Sequence, residues 1–352
     1  DSSYSQLWER EMKVFDKKYA TLLISLDHTM LFVGSNASLC CIDIATSESR
    51  WMKGFKGITG CGITLMQHPA HEGQIYAAGN GKLKCFEVST GKKLWSTPVV
   101  NMSDSLVTTI FSQRGDWICA ASRGTIVRIS PRTGAIEWKY VAKETSWGRS
   151  TAMCHATLVV SGDSLMFGMH GRIGAVDCSR GSLMWTVRIA KLRLHDTVVA
   201  MCMMKVDGEN ILFATAAGVL MAIVCKTGLI TYEKDLFFGH KLEIDQGALD
   251  HADGVLYCAM CDHVVAFEPS TGSPYWATHF PGLGTAMPTL LTTASGDLLV
   301  AGGGEVHLLD QATGEKVDHE SLQRTFPIVY QGHNMITMVR SGQTTCPHRC
   351  PG

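Results

Sequence analysis

The chain has 352 residues, with 31 basic and 32 acidic side chains, and this near-zero balance excludes a global electrostatic case for nucleic acid or a polyanionic surface. No apolar run approaches the ~20 residues that span a bilayer as a helix. The longest greasy stretch, Ile211 to Val224, is broken by Thr215 and Gly218 and reads as two strands. In chain order, the first predicted element is an isolated strand, Leu7-Trp8-Glu9. Sets of three short strands then begin near residues 20, 61, 106, 151, 197, 245 and 285, and a last set begins near Phe326. The third set shows the pattern. Leu106 to Phe111 is a strand rich in Thr and Val, and Gln113-Arg-Gly-Asp116 is a turn. Trp117 to Ser122 is an apolar strand ending in small residues, and Thr125 to Ser130 follows Gly124. Short strands separated by turn residues in this way form antiparallel meanders.

A signature closes each set: an acid, two variable positions, Thr-Gly, then Trp four places on. Its clearest copies are Glu87-Val-Ser-Thr-Gly-Lys-Lys-Leu-Trp95 and Glu268-Pro-Ser-Thr-Gly-Ser-Pro-Tyr-Trp276. Ser130 to Trp138 and Asp177 to Trp185 depart at one or two places. Asp43 to Trp51 lacks the Gly, Val224 to Tyr232 replaces acid and Trp, and Asp310 to Val317 loses the ring. Each position has a physical reason. The acid accepts hydrogen bonds from turn N–H groups, the Gly supplies φ > 0 for a bulged hairpin, and the Trp wedges against a neighbouring unit. A recurring acid of this kind is a turn cap rather than a catalytic series.

Fourth-strand positions fall at 8, 51, 95, 138, 185, 232, 276 and 317. The strand at Trp8 lacks its set and the set after Phe326 lacks its fourth strand. The two ends therefore complete one blade, residues 4–14 with 325–345, and close a ring that leaves no sheet edge open. The expectation is an all-β, eight-bladed β-propeller over residues 1–345, of four-stranded antiparallel blades, with residues 346–352 as a tail. Trp8, Trp51, Trp95, Trp138, Trp185, Tyr232 and Trp276 are its structural docking residues.

At these residues the chain resembles the pyrroloquinoline-quinone-like (quinoprotein alcohol dehydrogenase-like) repeat family, whose blades carry A-x-D-x-x-T-G-x-x-x-W. The resemblance spans essentially the whole chain and speaks to blade type more than to activity. It implies two branches: quinone- and Ca²⁺-dependent dehydrogenases, and non-catalytic propellers that bind proteins. The enzymes are typically longer and exported, and many carry a vicinal disulfide against the quinone. Here Cys40-Cys41 is vicinal, but strand alternation sends its thiols to opposite faces. No Ca²⁺ ligand set is assignable, and fold likeness alone does not carry chemistry across. The non-catalytic branch is the expectation.

Other clusters fail on the same tests. Cys258-Ala-Met-Cys261 with His263 overlaps a strand and has no second CxxC to complete a zinc site. Cys346-Pro-His-Arg-Cys350 offers three soft ligands in a terminal tail. Ala301-Gly-Gly-Gly304 lacks the Lys and helix of a phosphate loop. Catalytic, cofactor and metal residues are therefore assigned to none. Thirteen cysteines, an odd number scattered through apolar runs, read as buried reduced thiols. That places the chain in a reducing, cytoplasmic compartment, with export after leader removal as the alternative.

Function is expected where the repeat is broken. The intervals ending at Trp185 and Tyr232 are the longest, and their connections from a fourth strand to the next first strand are basic and aromatic. Lys139, Lys143, Trp147 and Arg149 lie on one, Arg188, Lys191 and Arg193 on the next, and Phe237, Phe238 and Lys241 on a third. Such residues on loops held by a rigid scaffold suit a protein interface. The reading is a non-enzymatic scaffold propeller, monomeric or a subunit of a complex, with a protein partner, no nucleic acid and no membrane span. A quinone-dependent oxidoreductase and a small-molecule or metal-binding propeller are the alternatives.

Overall fold

A computed structural model of the chain describes residues 9–11, 20–35, 38–54, 63–100, 107–142, 156–169, 171–189, 199–216, 218–236, 247–260, 262–281, 288–293, 296–302, 305–321, 325–326, 338–340 and 343–345. Among these residues, strands pair into eight four-stranded sheets, the blade units of a β-propeller. Sheet 1 comprises Ala20–Ile24, Met30–Ser35, Ser38–Asp43 and Ser49–Gly54. Sheet 2 comprises Thr64–Met66, Gln74–Gly79, Lys82–Glu87 and Lys93–Pro98. Sheet 3 comprises Thr108–Phe111, Ile118–Ser122, Thr125–Ile129 and Ile136–Val141. Sheet 4 comprises Thr157–Ser161, Ser164–Met169, Arg172–Asp177 and Leu183–Arg188. Sheet 5 comprises Ala200–Val206, Glu209–Ala216, Val219–Val224 and Ile230–Asp235. Sheet 6 comprises Ala248–Ala252, Val255–Met260, His263–Phe267 and Pro274–His279. Sheet 7 comprises Thr289–Thr292, Asp297–Gly302, Glu305–Asp310 and Lys316–Ser321. In sheet 8 the N-terminal strand Glu9–Glu11 pairs with Gln343–Thr345, Glu9 opposite Thr345. The first and last strands of the chain thus share a sheet, as the two unmatched ends of the repeat required.

By contact density the chain divides into two compact units. The first, Asp1–Leu158 with Cys178–Ser182 and Met335–Pro351, has an apolar core of Tyr76, Leu83, Cys85, Val107, Ile118, Val127 and Ile129 between sheets 2 and 3. A three-residue 3-10 turn, Pro69–His71, lengthens the first hairpin of sheet 2. There His71 Nε2 bonds the Gly115 carbonyl at 2.7 Å. The second unit, Val159–Asp177 with Leu183–Asn334, holds successive cores between sheets 4 and 5, 5 and 6, and 6 and 7. Second and third strands are buried almost throughout, whereas fourth strands alternate exposed and half-buried positions. That is the pattern of an edge strand with one covered face.

The signature turns explain how neighbouring sheets lock. Trp51 Nε1 donates to Val88 O at 2.7 Å, Trp95 to Pro131 O at 2.9 Å and Trp138 to Cys178 O at 2.8 Å. In the second unit Trp185 donates to Cys225 O at 2.9 Å and Trp276 to Gln311 O at 3.0 Å. The acceptor is always the residue after the acid position of the next turn. Tyr232 reaches the equivalent Pro269 carbonyl with its hydroxyl at 3.0 Å, so the exchange of Trp for Tyr keeps the bond. The indole face lies under the turn's Gly. At Gly228 (φ +73°) an added Cβ would stand 2.6 Å from Trp185 Cδ2. Trp8 lies outside the described residues.

The acids cap in two ways, which refines the sequence reading. Asp43 Oδ1 accepts from Ala45 N and Thr46 N, both at 3.0 Å, and Asp310 Oδ1 accepts from Ala312 N at 2.9 Å and Thr313 N at 2.8 Å. Glu87 and Glu268, one methylene longer, take the Thr hydroxyl three residues on. That hydroxyl oxygen in turn accepts from the N–H two residues further, Lys92 at 3.0 Å and Ser273 at 3.1 Å. In the Asp43 turn, Ser47 holds the left-handed position at φ +60° where its counterparts have Gly.

Candidate functional site

Of the ten residues expected to bind a partner, Lys139 and Arg188 are described. Both are exposed near the ends of fourth strands, in sheets 3 and 4. Lys143, Trp147, Arg149, Lys191, Arg193, Phe237, Phe238 and Lys241 lie outside the described residues. Lys139 faces Val127 on the neighbouring strand. Arg188 stands directly opposite Arg172.

This arginine pair is the electrostatic feature of the surface that sequence reasoning missed. Ile189 N–H donates to Gly171 O at 3.0 Å. The next register position, Arg172 opposite Arg188, is therefore a non-hydrogen-bonded pair, in which side chains approach more closely. Like charges directly opposite one another destabilise a sheet by about 0.2–1 kcal/mol. Neither arginine belongs to an ion pair among the described residues, whose ion pairs are Arg50–Asp43 and Arg128–Glu137. Two guanidinium groups held side by side present parallel N–H donors suited to a carboxylate or phosphate.

A second surface lies at the other end of the fourth strands, beside the signature turns. In the second unit Leu183, Met184, Leu229, Ile230, Tyr275 and Val317 are exposed, Leu229 to 64% and Tyr275 to 59%. The signal was present in the sequence as apolar residues recurring between the Gly and the Trp, but alternation alone assigns such residues to a buried face.

The thiols follow the expected burial. Cys40, Cys41, Cys85, Cys119, Cys178, Cys225 and Cys258 are buried and reduced, and Cys202 is half-buried. Burial pushes the thiols of Cys41 and Cys85 up to about 12. Cys40 and Cys41 point to opposite faces of their strand, with Cys40 in the apolar core of sheet 1. Cys154, Cys261, Cys346 and Cys350 lie outside the described residues. Among the described residues no three His, Cys, Asp or Glu side chains group as metal ligands. The described residues thus supply neither the vicinal disulfide nor the carboxylate set that a quinone–Ca²⁺ centre requires. Among them no helix is long and apolar enough to cross a membrane.

The model of the family described as outer membrane protein assembly factor BamB matches residues 59–278 and 203–329. The chain belongs to this family. BamB from Moraxella catarrhalis is similar in structure, with TM-score 0.70 and 19% identity, covering 98% of this chain and 99% of that one. Sqt1 from Saccharomyces cerevisiae is similar at TM-score 0.72 and 12% identity, covering 99% and 100%. Quinohemoprotein alcohol dehydrogenase from Comamonas testosteroni is similar at TM-score 0.68 and 12% identity, covering 98% of this chain and 76% of that one. At these identities the likeness shows the fold, an all-β propeller, and not the activity. No curated protein sequence matches the chain significantly.

Proposed function

We propose that this chain is a non-enzymatic scaffold that holds a protein partner through its fourth-to-first-strand connections. The observation that carries the reading is the Arg172–Arg188 pair. A sheet position that sets two like charges opposite each other costs stability in the isolated chain, and an acidic group on a partner would reverse that cost. The arginines stand where the repeat leaves its sheet for the connection bearing Lys191 and Arg193. Membership of a family described by an assembly factor supports the same reading. The compartment that suits the buried thiols is a reducing one.

The oxidoreductase alternative rests on fold likeness to quinoproteins and lacks a matching donor set among the described residues. Affinity capture with the wild-type chain and with R188E, followed by quantitative mass spectrometry, tests the proposal. A co-purifying protein depleted roughly 10-fold or more by R188E, with the melting curve unchanged, is the expected result. Equal capture by both chains, or dye reduction after adding the quinone and Ca²⁺, overturns it.

A further inference from the structure

We propose that His263 and His279, in sheet 6, form a two-imidazole site for a divalent transition-metal ion of the Cu²⁺, Ni²⁺ or Zn²⁺ class. The two residues are directly opposite each other across antiparallel strands. Phe280 N–H donates to Asp262 O at 2.7 Å. His263 and His279 therefore occupy the adjacent non-hydrogen-bonded position, where Cα atoms are closest and side chains run parallel. Their ring centroids are 4.8 Å apart, with the planes inclined at 44°.

The spacing decides the matter. A metal–nitrogen bond of 2.0–2.1 Å puts a ligating ring's centroid roughly 3.2 Å from the ion, so two imidazoles at square or tetrahedral angles have centroids roughly 4.5–5.1 Å apart. The observed separation falls inside that window without any strand movement. Coordination would ask for ring rotation alone.

The repeat does not impose this pair. At the corresponding register the other sheets set Thr125 opposite Val141 and Val219 opposite Asp235. The platform is firm, because Val265 and Phe267, on the same face of the strand as His263, are buried in the core between sheets 5 and 6. His279 is exposed and His263 half-buried, so the pair has access to solvent. No further His, Cys, Asp or Glu among the described residues joins them as a third ligand. Remaining coordination positions would go to water or to a donor brought by a partner.

The test is calorimetric titration of the whole chain with Ni²⁺, comparing wild type, H263N, H279N and the double variant. Two rings acting as one chelate make each single variant lose nearly as much affinity as the double, roughly 10-fold or more. Because His279 is exposed, H279N should melt as wild type does, which separates lost binding from lost folding. Either single variant retaining wild-type affinity overturns the proposal, as does a wild type that binds no more tightly than the double variant. Losses that simply add would indicate independent one-histidine sites and overturn it too.

Discussion

Gly228→Ala tests whether the signature turn works by close approach to the preceding ring. Gly228 sits at φ +73°, and a Cβ there would stand 2.6 Å from Trp185 Cδ2 and 2.8 Å from Cε3 and Cγ. The ring cannot swing away freely, because its Nε1 is bonded to Cys225 O at 2.9 Å in the same turn. Alanine in the left-handed region costs about 1–2 kcal/mol. Forcing a methyl into a packed contact adds about 1–3 kcal/mol, so the total expected is about 2–5 kcal/mol. Gly208 provides the control: it has φ +86° and nothing within 4 Å of its added Cβ. Gly208→Ala should therefore show the conformational cost alone, about 1–2 kcal/mol. Urea unfolding followed by tryptophan fluorescence, with m-values held constant, measures both. Replacing Trp185 by Leu should relieve most of the difference between the two glycine variants in a double-mutant cycle. Equal destabilisation by the two glycine substitutions, within about 0.5 kcal/mol, would refute the reasoning.

Two further outcomes follow from the titrating groups. Backbone N–H and hydroxyl donors of Thr313 hold the Asp310 carboxyl below its ordinary value of 3.8. A depressed carboxyl contributes stability above its unfolded value and loses it as pH falls through the folded value. D310N should thus flatten part of the fall in stability below about pH 4 while keeping the neutral-pH cap through its amide oxygen; an unchanged acid limb in pH-dependent melting would contradict this. Cys41 and Cys85, pushed up to about 12 by burial, should resist iodoacetamide at pH 8 in the folded chain and react once urea unfolds it. Peptide mass mapping would detect the contrary result, labelling of either residue before unfolding.

Much of the blade was readable from residue order because its determinants are local. A positive-φ Gly, a Thr hydroxyl and an acid lie within five residues of one another, and the Trp strand follows at once, as in Glu87 to Trp95. The match of the N-terminal strand to the C-terminal set was also readable, as a counting argument, and Glu9 pairs with Thr345. The division of labour between Asp and Glu caps was not, because it depends on which donor a carboxylate reaches once the turn is closed. The exposure of Leu229 and Tyr275 was not, because burial of a strand face depends on what packs over it.

The amino-acid sequence by itself determined the number of blades, the turn chemistry and the position of each docking ring, all of which depend on residues close together in the chain. Tertiary structure alone decided which functional side chains meet, and a bulge in each sheet is the reason. In sheet 4, Val176 faces Leu183, and at that register Arg172 would face Val187. The register shift between Ala175 and Val176 moves it to Arg188 instead. In sheet 6 the shift between Ala266 and Phe267 likewise brings His263 opposite His279 rather than Thr278. A single extra residue sends alternate side chains to the other face of a strand. The surface pairs that carry both proposals thus exist only once the bulges have formed.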